Sequence, residues 1–191
     1  MSFPAFQIEI VTQGWLGDQK PEYDPAQHDL CSHGDIRLVI GGRVIAPGDE
    51  GEYGISESAL ALLRTVESDH SPERPVAERL VPHGCGLILM LSCPIGIDWS
   101  VSHVGARVRL HDVVRYDSVD ETQTLRFPGL AVELERDEYC REVVAFAEQA
   151  KQLFVGVEKV FEDGLFEDDF DRQQYEEFWA EYDQRLTRLS R

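Results

Sequence analysis

Alternation between polar and apolar residues over positions 97–113 constrains the fold of this chain more than any other feature. Apolar Ile97, Trp99 and Val101 alternate with polar Asp98, Ser100 and Ser102, and the pattern resumes through Val108, Leu110 and Val113. Period-two alternation is typical of strands that bury one face. Consecutive short strands of this kind predict an antiparallel meander.

Further strand signals lie on both sides of this pair. Residues 6–12 alternate, and residues 36–45 hold two alternating runs joined by Gly41-Gly42, which can adopt the positive φ of a tight hairpin turn. The apolar run 87–92 predicts a buried strand, and residues 124–135 predict two short strands broken at Pro128-Gly129. Together these segments predict a sheet of about six or seven strands.

Two internal segments show the periodicity of amphipathic helices. The first is expected from about Glu57 to Ser68, with Ser56 as the N-cap because a serine hydroxyl can accept a hydrogen bond from the first turn. The second is expected from Asp137, as N-cap, to about Val155. Both helices have one apolar face to place against the sheet.

The C-terminal segment predicts the third main helix. Asp171 and Gln174 stand three residues apart, as in a capping box. One face then carries Tyr175, Phe178, Trp179, Tyr182, Leu186 and Leu189. This amphipathic helix is expected to complete the core.

Length and composition favour a single domain over residues 1–191. With 42% hydrophobic residues, the chain is long enough to bury one substantial core. We therefore expect an α+β fold, in which an antiparallel meander sheet is packed on one face by about three helices. Its connections include a long loop at about 14–34 and an acidic link at about 156–170.

The charge balance restricts the kinds of partner. Lys and Arg total 18 against 36 Asp and Glu, which gives a net charge of −18. A field of this sign repels nucleic acid and anionic membrane surfaces, and it attracts basic surfaces. No apolar run has the length needed to cross a bilayer. We expect neither a nucleic-acid partner nor a membrane partner.

The N-terminus and the cysteines bear on the compartment. Residues 1–14 lack a basic region followed by a long apolar stretch, so no signal peptide is expected. The four cysteines are Cys31, Cys85, Cys93 and Cys140, and their spacing matches no disulfide scaffold. Reduced thiols in a bacterial-type cytoplasm are the simplest interpretation.

The segment Val81–Trp99 places cysteines and a histidine beside the most apolar run of the chain. Cys85 follows His83 in a glycine-flanked turn, so a thiolate and a base can share one face there. Zinc ligation is the other chemical option, and its candidate ligands are His28, Cys31, His33, His83, Cys85 and Cys93. Their spacing matches no zinc knuckle, so we expect no metal and interpret the cysteines as small core residues.

A hydrolase trio is a further option within the alternating segment. Asp98 and Ser100 share the polar face of the strand, whereas His103 has the opposite parity unless a bulge intervenes. Residues 40–51 are glycine-rich but lack the order of a dinucleotide or phosphate loop. No cofactor is expected, and the absence of a complete catalytic motif favours a binding protein over an enzyme.

An acidic stretch near the C-terminus is the strongest functional signal. Residues 158–183 carry 11 carboxylates and two cations, which is half of the net charge. Aromatic residues lie among these carboxylates, a mixture suited to a basic protein groove. The partner-binding candidates are Glu162, Asp163, Phe166, Glu167, Asp168, Asp169, Phe170 and Asp171. The alternative is an ordinary solvated surface.

The function predicted from these features is capture of a basic protein partner by a small cytoplasmic protein. Its most concrete form is an immunity-type inhibitor of a bacterial toxin, which occludes a cationic cleft with carboxylates that replace an anionic substrate. One alternative is a small hydrolase or transferase that uses Cys85 with His83, or Asp98 with Ser100. The other is a structural or adaptor protein that forms homo-oligomers through the aromatic C-terminal helix.

Overall fold

The computed structural model describes residues 4–16, 24–49, 53–84, 93–120, 122–161 and 168–191. Its helices are α1 (Pro25–His28), α2 (Ile55–Glu67), α3 (Arg136–Gln152) and α4 (Asp168–Leu189). Its strands are β1 (Phe6–Ile10), β2 (His33–Gly34), β3 (Ile36–Ile40), β4 (Arg43–Pro47), β5 (Tyr53–Gly54), β6 (Val81–Pro82), β7 (Gly96–Val104), β8 (Arg107–Tyr116), β9 (Thr124–Arg126) and β10 (Val132–Glu135).

The strands are antiparallel and belong to several sheets. One sheet has the order β1-β3-β4. A second has the order β10-β8-β7-β6, and β9 pairs with the same edge of β8 further along that strand. The short strands β2 and β5 form a separate pair. The fold class is α+β with antiparallel sheets, as predicted, although the strands are divided between sheets instead of forming one.

Helix α3 joins the two larger sheets because it packs on β1 of one and on β8 and β10 of the other. The junction is aromatic: the ring of Phe6 lies 5.0 Å from the ring of Tyr139 and 6.1 Å from that of Trp99. The Tyr139 hydroxyl lies 2.7 Å from Thr65 Oγ1 of α2. Each of these side chains is buried, so one core holds both sheets and the helices.

The predicted hairpins are confirmed. Gly41 and Gly42 have φ of 58° and 77° between β3 and β4, the left-handed values that a tight hairpin turn requires. Strands β7 and β8 form the alternating pair, and β9 and β10 follow on either side of Pro128-Gly129. The expected strand at 87–92 lies outside the described residues.

The three main helices are also present, but each begins before the predicted cap. Helix α2 is capped by Gly54, helix α3 by Glu135, and α4 begins at Asp168. Ser56 is not an N-cap because its hydroxyl accepts a hydrogen bond from Ser32 N instead. Asp137 lies within the first turn of α3, where a carboxylate complements the helix dipole, and Asp171 is the fourth residue of α4.

The described part of the segment at 14–34, residues 14–16 and 24–34, contains a short helix and a short strand. Helix α1 begins after Asp24, whose side chain accepts a hydrogen bond from Ala26 N, and β2 follows at its end. Lys159 secures this helix by donating hydrogen bonds to backbone oxygens of Ala26 and Asp29. None of the helices among the described residues has the length and apolar character needed to cross a lipid bilayer.

Candidate functional site

A cavity of about 220 Å³ lies between α2, the segment 77–83 and α4. Its walls combine apolar side chains with the charged or reactive groups of Glu57, Arg64, Arg79, His83 and Cys93. Cys93 Sγ lies 3.9 Å from His83 Nδ1, within the range of a hydrogen bond to sulfur. The structure therefore places a thiol, an imidazole and a carboxylate around one small space.

Glu57 is the carboxylate of this cavity, and it lies in the first turn of α2. Burial raises the pKa of its carboxyl group, while hydrogen bonds from Cys31 and Ser56 act in the opposite direction. Burial, together with the negative charge of Glu57, raises the pKa of the Cys31 thiol well above its ordinary value. Cys31 is fully buried and is therefore a poor nucleophile at neutral pH.

A second histidine lies beside this cluster, on the strand pair β2-β5. His33 Nε2 lies 3.0 Å from Asp29 Oδ2, and both side chains are buried. His33 Nδ1 has no hydrogen-bond partner among the described residues. It packs against Gly84, where a Cβ atom would overlap it, so this position requires glycine. Sequence reasoning missed the Asp29–His33 pair, although its spacing of four residues was a usable signal.

The zinc candidates among the described residues do not converge. His28 Nδ1 bonds to the backbone oxygen of Asp24 within α1, and His33 bonds to Asp29, while His83 faces Cys93. Within the described ranges, no three His, Cys, Asp or Glu side chains are arranged to hold a metal ion. Cys85, the proposed partner of His83, lies outside the described residues.

The trio Asp98, Ser100 and His103 is not joined by hydrogen bonds. Asp98 Oδ1 accepts from Leu80 N and lies 3.0 Å from His70 Nε2, which fixes the segment 70–80 against β7. His103 instead lies 2.8 Å from Asp69, and Ser100 is buried. The trio hypothesis is therefore wrong in geometry, because each polar member is engaged or enclosed elsewhere.

The acidic candidates lie at the start of α4 and before it. Asp168, Asp169, Phe170 and Asp171 fall in the first helical turn, and Glu162, Asp163, Phe166 and Glu167 lie outside the described residues. The next turn adds Glu176 and Glu177, which are both exposed. The negative charge of this end of the chain therefore continues along the outer face of α4.

The opposite face of α4 is used within the fold. Tyr182 is fully buried and donates a hydrogen bond to Ala147 O of α3, and Trp179 lies 4.5 Å from the ring of Phe154. Phe178 and Leu186 pack at the edge of the same core. A homo-oligomer through this aromatic face would have to displace these contacts.

No protein-family model matches the chain, and no curated protein or solved structure is significantly similar to it.

Proposed function

We propose that this protein captures a basic protein partner through an acidic surface made by residues 162–171 and the outer face of α4. The observation that carries the proposal is the concentration of half of the net charge of −18 in residues 158–183. The exposed carboxylates of Glu176 and Glu177 extend that charge along the helix. Such a surface accelerates encounter with a cationic partner and disfavours anionic ones.

Four of the described arginines support the proposal because they are paired with carboxylates of the fold itself. Arg64, Arg185 and Arg188 bind carboxylates between α2 and α4, and Arg115 pairs with Asp117. Each of these positive charges is consequently balanced by a carboxylate partner. An immunity-type inhibitor of a bacterial toxin is the most concrete form of this function, with steric occlusion of a cationic cleft as its mechanism.

Neutralising four carboxylates in the acidic surface tests this proposal against a control that changes the net charge by the same amount. One variant combines Glu167→Gln, Asp168→Asn, Asp169→Asn and Asp171→Asn. Its matched control neutralises four exposed carboxylates elsewhere, at Asp49, Glu133, Asp137 and Glu148. A basic protein captured from a cell lysate at low salt is identified, purified and titrated with each variant, and its own activity is measured.

The expected result is stoichiometric inhibition by the wild type and the control, with affinity reduced at least 100-fold in the C-terminal variant. Four lost charge contacts at an interface are sufficient for a loss of this size. Equal affinity in both variants, or retention of the partner without inhibition, would contradict the proposal.

A second candidate function is a thiol-dependent hydrolase or transferase, favoured by the contact between His83 and Cys93 at the cavity. His83 would activate a thiol of the 85–93 segment by accepting its proton. Iodoacetamide alkylation below neutral pH tests this candidate, with Cys85 and Cys93 followed separately by mass spectrometry. Rapid modification that is lost in His83→Asn is expected, and equal rates in both proteins would exclude it.

A further inference from the structure

Ser102, His111 and Asp112 form a hydrogen-bonded chain on the outer face of β7 and β8. Ser102 Oγ lies 3.1 Å from His111 Nε2, and His111 Nδ1 lies 2.7 Å from Asp112 Oδ2. The two ring nitrogens thus face a hydroxyl and a carboxylate respectively. A carboxylate at Nδ1 favours the tautomer that leaves Nε2 as a proton acceptor for the serine.

A β-bulge creates this arrangement. Asp98 pairs with Val114, whereas Ser100 pairs with His111, so two residues of β8 stand opposite Trp99 alone. Asp112 is the extra residue and has a φ of 53°, the one positive value outside glycine in the described ranges. Bulges re-aim side chains beside functional sites. Here the bulge turns the carboxylate back to the imidazole of its own neighbour.

A groove of about 320 Å³ adjoins His111 and Asp112, at the edge of β8 between β9 and β10. Arg109 and Arg126 line it together with the apolar side chains of Phe127 and Leu130. Arg109 is the cross-strand partner of Ser102. Directly paired residues of a ladder share one face, so Arg109 and Ser102 project from the same side of the sheet, and His111 and Asp112 connect Ser102 to the groove.

We propose that Ser102, His111 and Asp112 form an acyl-transfer site for small esters that carry an anionic group. His111 Nε2 accepts the hydroxyl proton as Ser102 Oγ bonds to the ester carbonyl carbon. The bond to the alcohol oxygen breaks, and the alcohol leaves with that proton. Water then attacks the acyl-serine carbonyl and gives a proton to His111. The bond between the acyl carbon and Ser102 Oγ breaks, His111 returns the proton to that oxygen, and the acid is released.

The groove assigns the substrate class. Two arginines outnumber the one carboxylate there, and guanidinium groups bind carboxylate or phosphate oxygens through paired hydrogen bonds. Phe127 and Leu130 provide an apolar wall for the acyl chain. An ester with an acidic group at one end fits this combination.

A fluorophosphonate probe and two chromogenic esters test the site in the full-length protein. The probe should label Ser102, identified by mass spectrometry of the modified peptide, and Ser102→Ala should abolish labelling. Hydrolysis of 4-nitrophenyl succinate should fall at least 100-fold in Ser102→Ala and in His111→Gln. Ser118→Ala is the matched control, because the half-buried Ser118 hydroxyl bonds to the carboxylate of Asp120.

Asp112 acts as a positioning residue and Arg109 as a recognition residue, so each has its own readout. Asp112→Asn should slow labelling of Ser102 by the probe at least tenfold, and Asp112→Glu should restore part of the labelling rate. The melting temperature of each variant is measured separately, so that a loss of stability is distinguished from a loss of positioning. Arg109→Met should lower the preference for 4-nitrophenyl succinate over neutral 4-nitrophenyl acetate.

An unlabelled wild type, labelling at serines other than Ser102, or ester hydrolysis unchanged in His111→Gln would overturn the proposal. Partner capture by α4 does not depend on this site, so the two can fail separately.

Discussion

Glu181 of α4 accepts two hydrogen bonds from the guanidinium group of Arg64 of α2, and the bond from Nε is 2.8 Å long. Arg185, four residues further along α4, donates to the same carboxylate and also reaches Glu67 of α2. This network fixes α4 against α2. It is therefore the electrostatic anchor of the helix that carries the proposed acidic surface.

Acid should weaken this anchor in a defined pH window. Hydrogen bonds from Arg64 lower the pKa of Glu181 to about 2 from an ordinary value of 4.5. A carboxylate with a lowered pKa stabilises the fold above its unfolded pKa, and this stabilisation is lost as pH falls from about 5 towards 2. Because the pair is partly exposed, we expect Glu181→Gln to cost roughly 1–2 kcal/mol at pH 7 and little at pH 2.

Urea unfolding at the two pH values measures this difference. Glu177→Gln is the control because it removes an exposed carboxylate from the same helix. Equal losses of unfolding free energy in Glu181→Gln and Glu177→Gln would mean that the pair of Arg64 and Glu181 adds no stability beyond that of an exposed carboxylate.

Lys159 should stabilise the docking of α1. Its ammonium group donates to Ala26 O and Asp29 O at 2.7 and 2.6 Å and lies 3.6 Å from the ring centre of Trp15. Lys159→Met keeps most of the side-chain volume but leaves two carbonyl groups without this donor. We expect a loss of about 1–3 kcal/mol in the free energy of unfolding.

Lys151→Met provides the comparison, because Lys151 pairs with Asp183 at the surface. An exposed ion pair of this type contributes about 0–1 kcal/mol. Denaturant unfolding of both variants checks the prediction, and a loss no larger in Lys159→Met than in Lys151→Met would refute it.

Local periodicity was enough to predict most strands and helices, but it did not give their ends. The hairpin at Gly41-Gly42 could be predicted because a two-residue hairpin turn requires positive φ at both central residues, which glycine adopts readily. The start of α2 could not be predicted in this way, because the Ser56 hydroxyl accepts a hydrogen bond from the backbone amide of Ser32, on a distant segment, instead of capping its own helix. A side chain with two possible partners is assigned only by tertiary structure.

The candidate sites show the same limit. Strict alternation along β7 put Asp98 and Ser100 on one face and left His103 with the opposite parity, and in the structure His103 bonds to Asp69 instead of joining them. The signal for Ser102 and His111 was present in the sequence: pairing across a two-residue turn at Gly105-Ala106 places them diagonally on one face. The added role of Asp112 depends on a positive φ that sequence patterns do not reveal.

Glu57 should lower the stability of the protein at neutral pH. Burial raises the pKa of its carboxyl group, so the folded state binds a proton more tightly than the unfolded state does. Stability from this source is present at low pH and falls as pH rises through the raised pKa. We expect Glu57→Gln to increase the free energy of unfolding by about 1 kcal/mol at pH 8 and to change it little at pH 4. Thermal unfolding at both pH values checks this, and a destabilised variant at pH 8 would contradict it.

The three described thiols should react in an order set by their surroundings. Cys93 is half-buried at the cavity beside His83. Cys31 is fully buried next to Glu57, and its burial together with the negative charge of Glu57 raises the pKa of the Cys31 thiol well above its ordinary value. Cys140 is intermediate, because partial burial also raises its pKa. Since the thiolate is the reactive form, iodoacetamide at pH 8 should modify Cys93 first, Cys140 more slowly, and Cys31 only when urea unfolds the chain. Peptide mass spectrometry at timed intervals gives the three rates. Modification of Cys31 as fast as Cys93 in the native protein would contradict this order and would mean that the cluster of Cys31 and Glu57 opens to solvent.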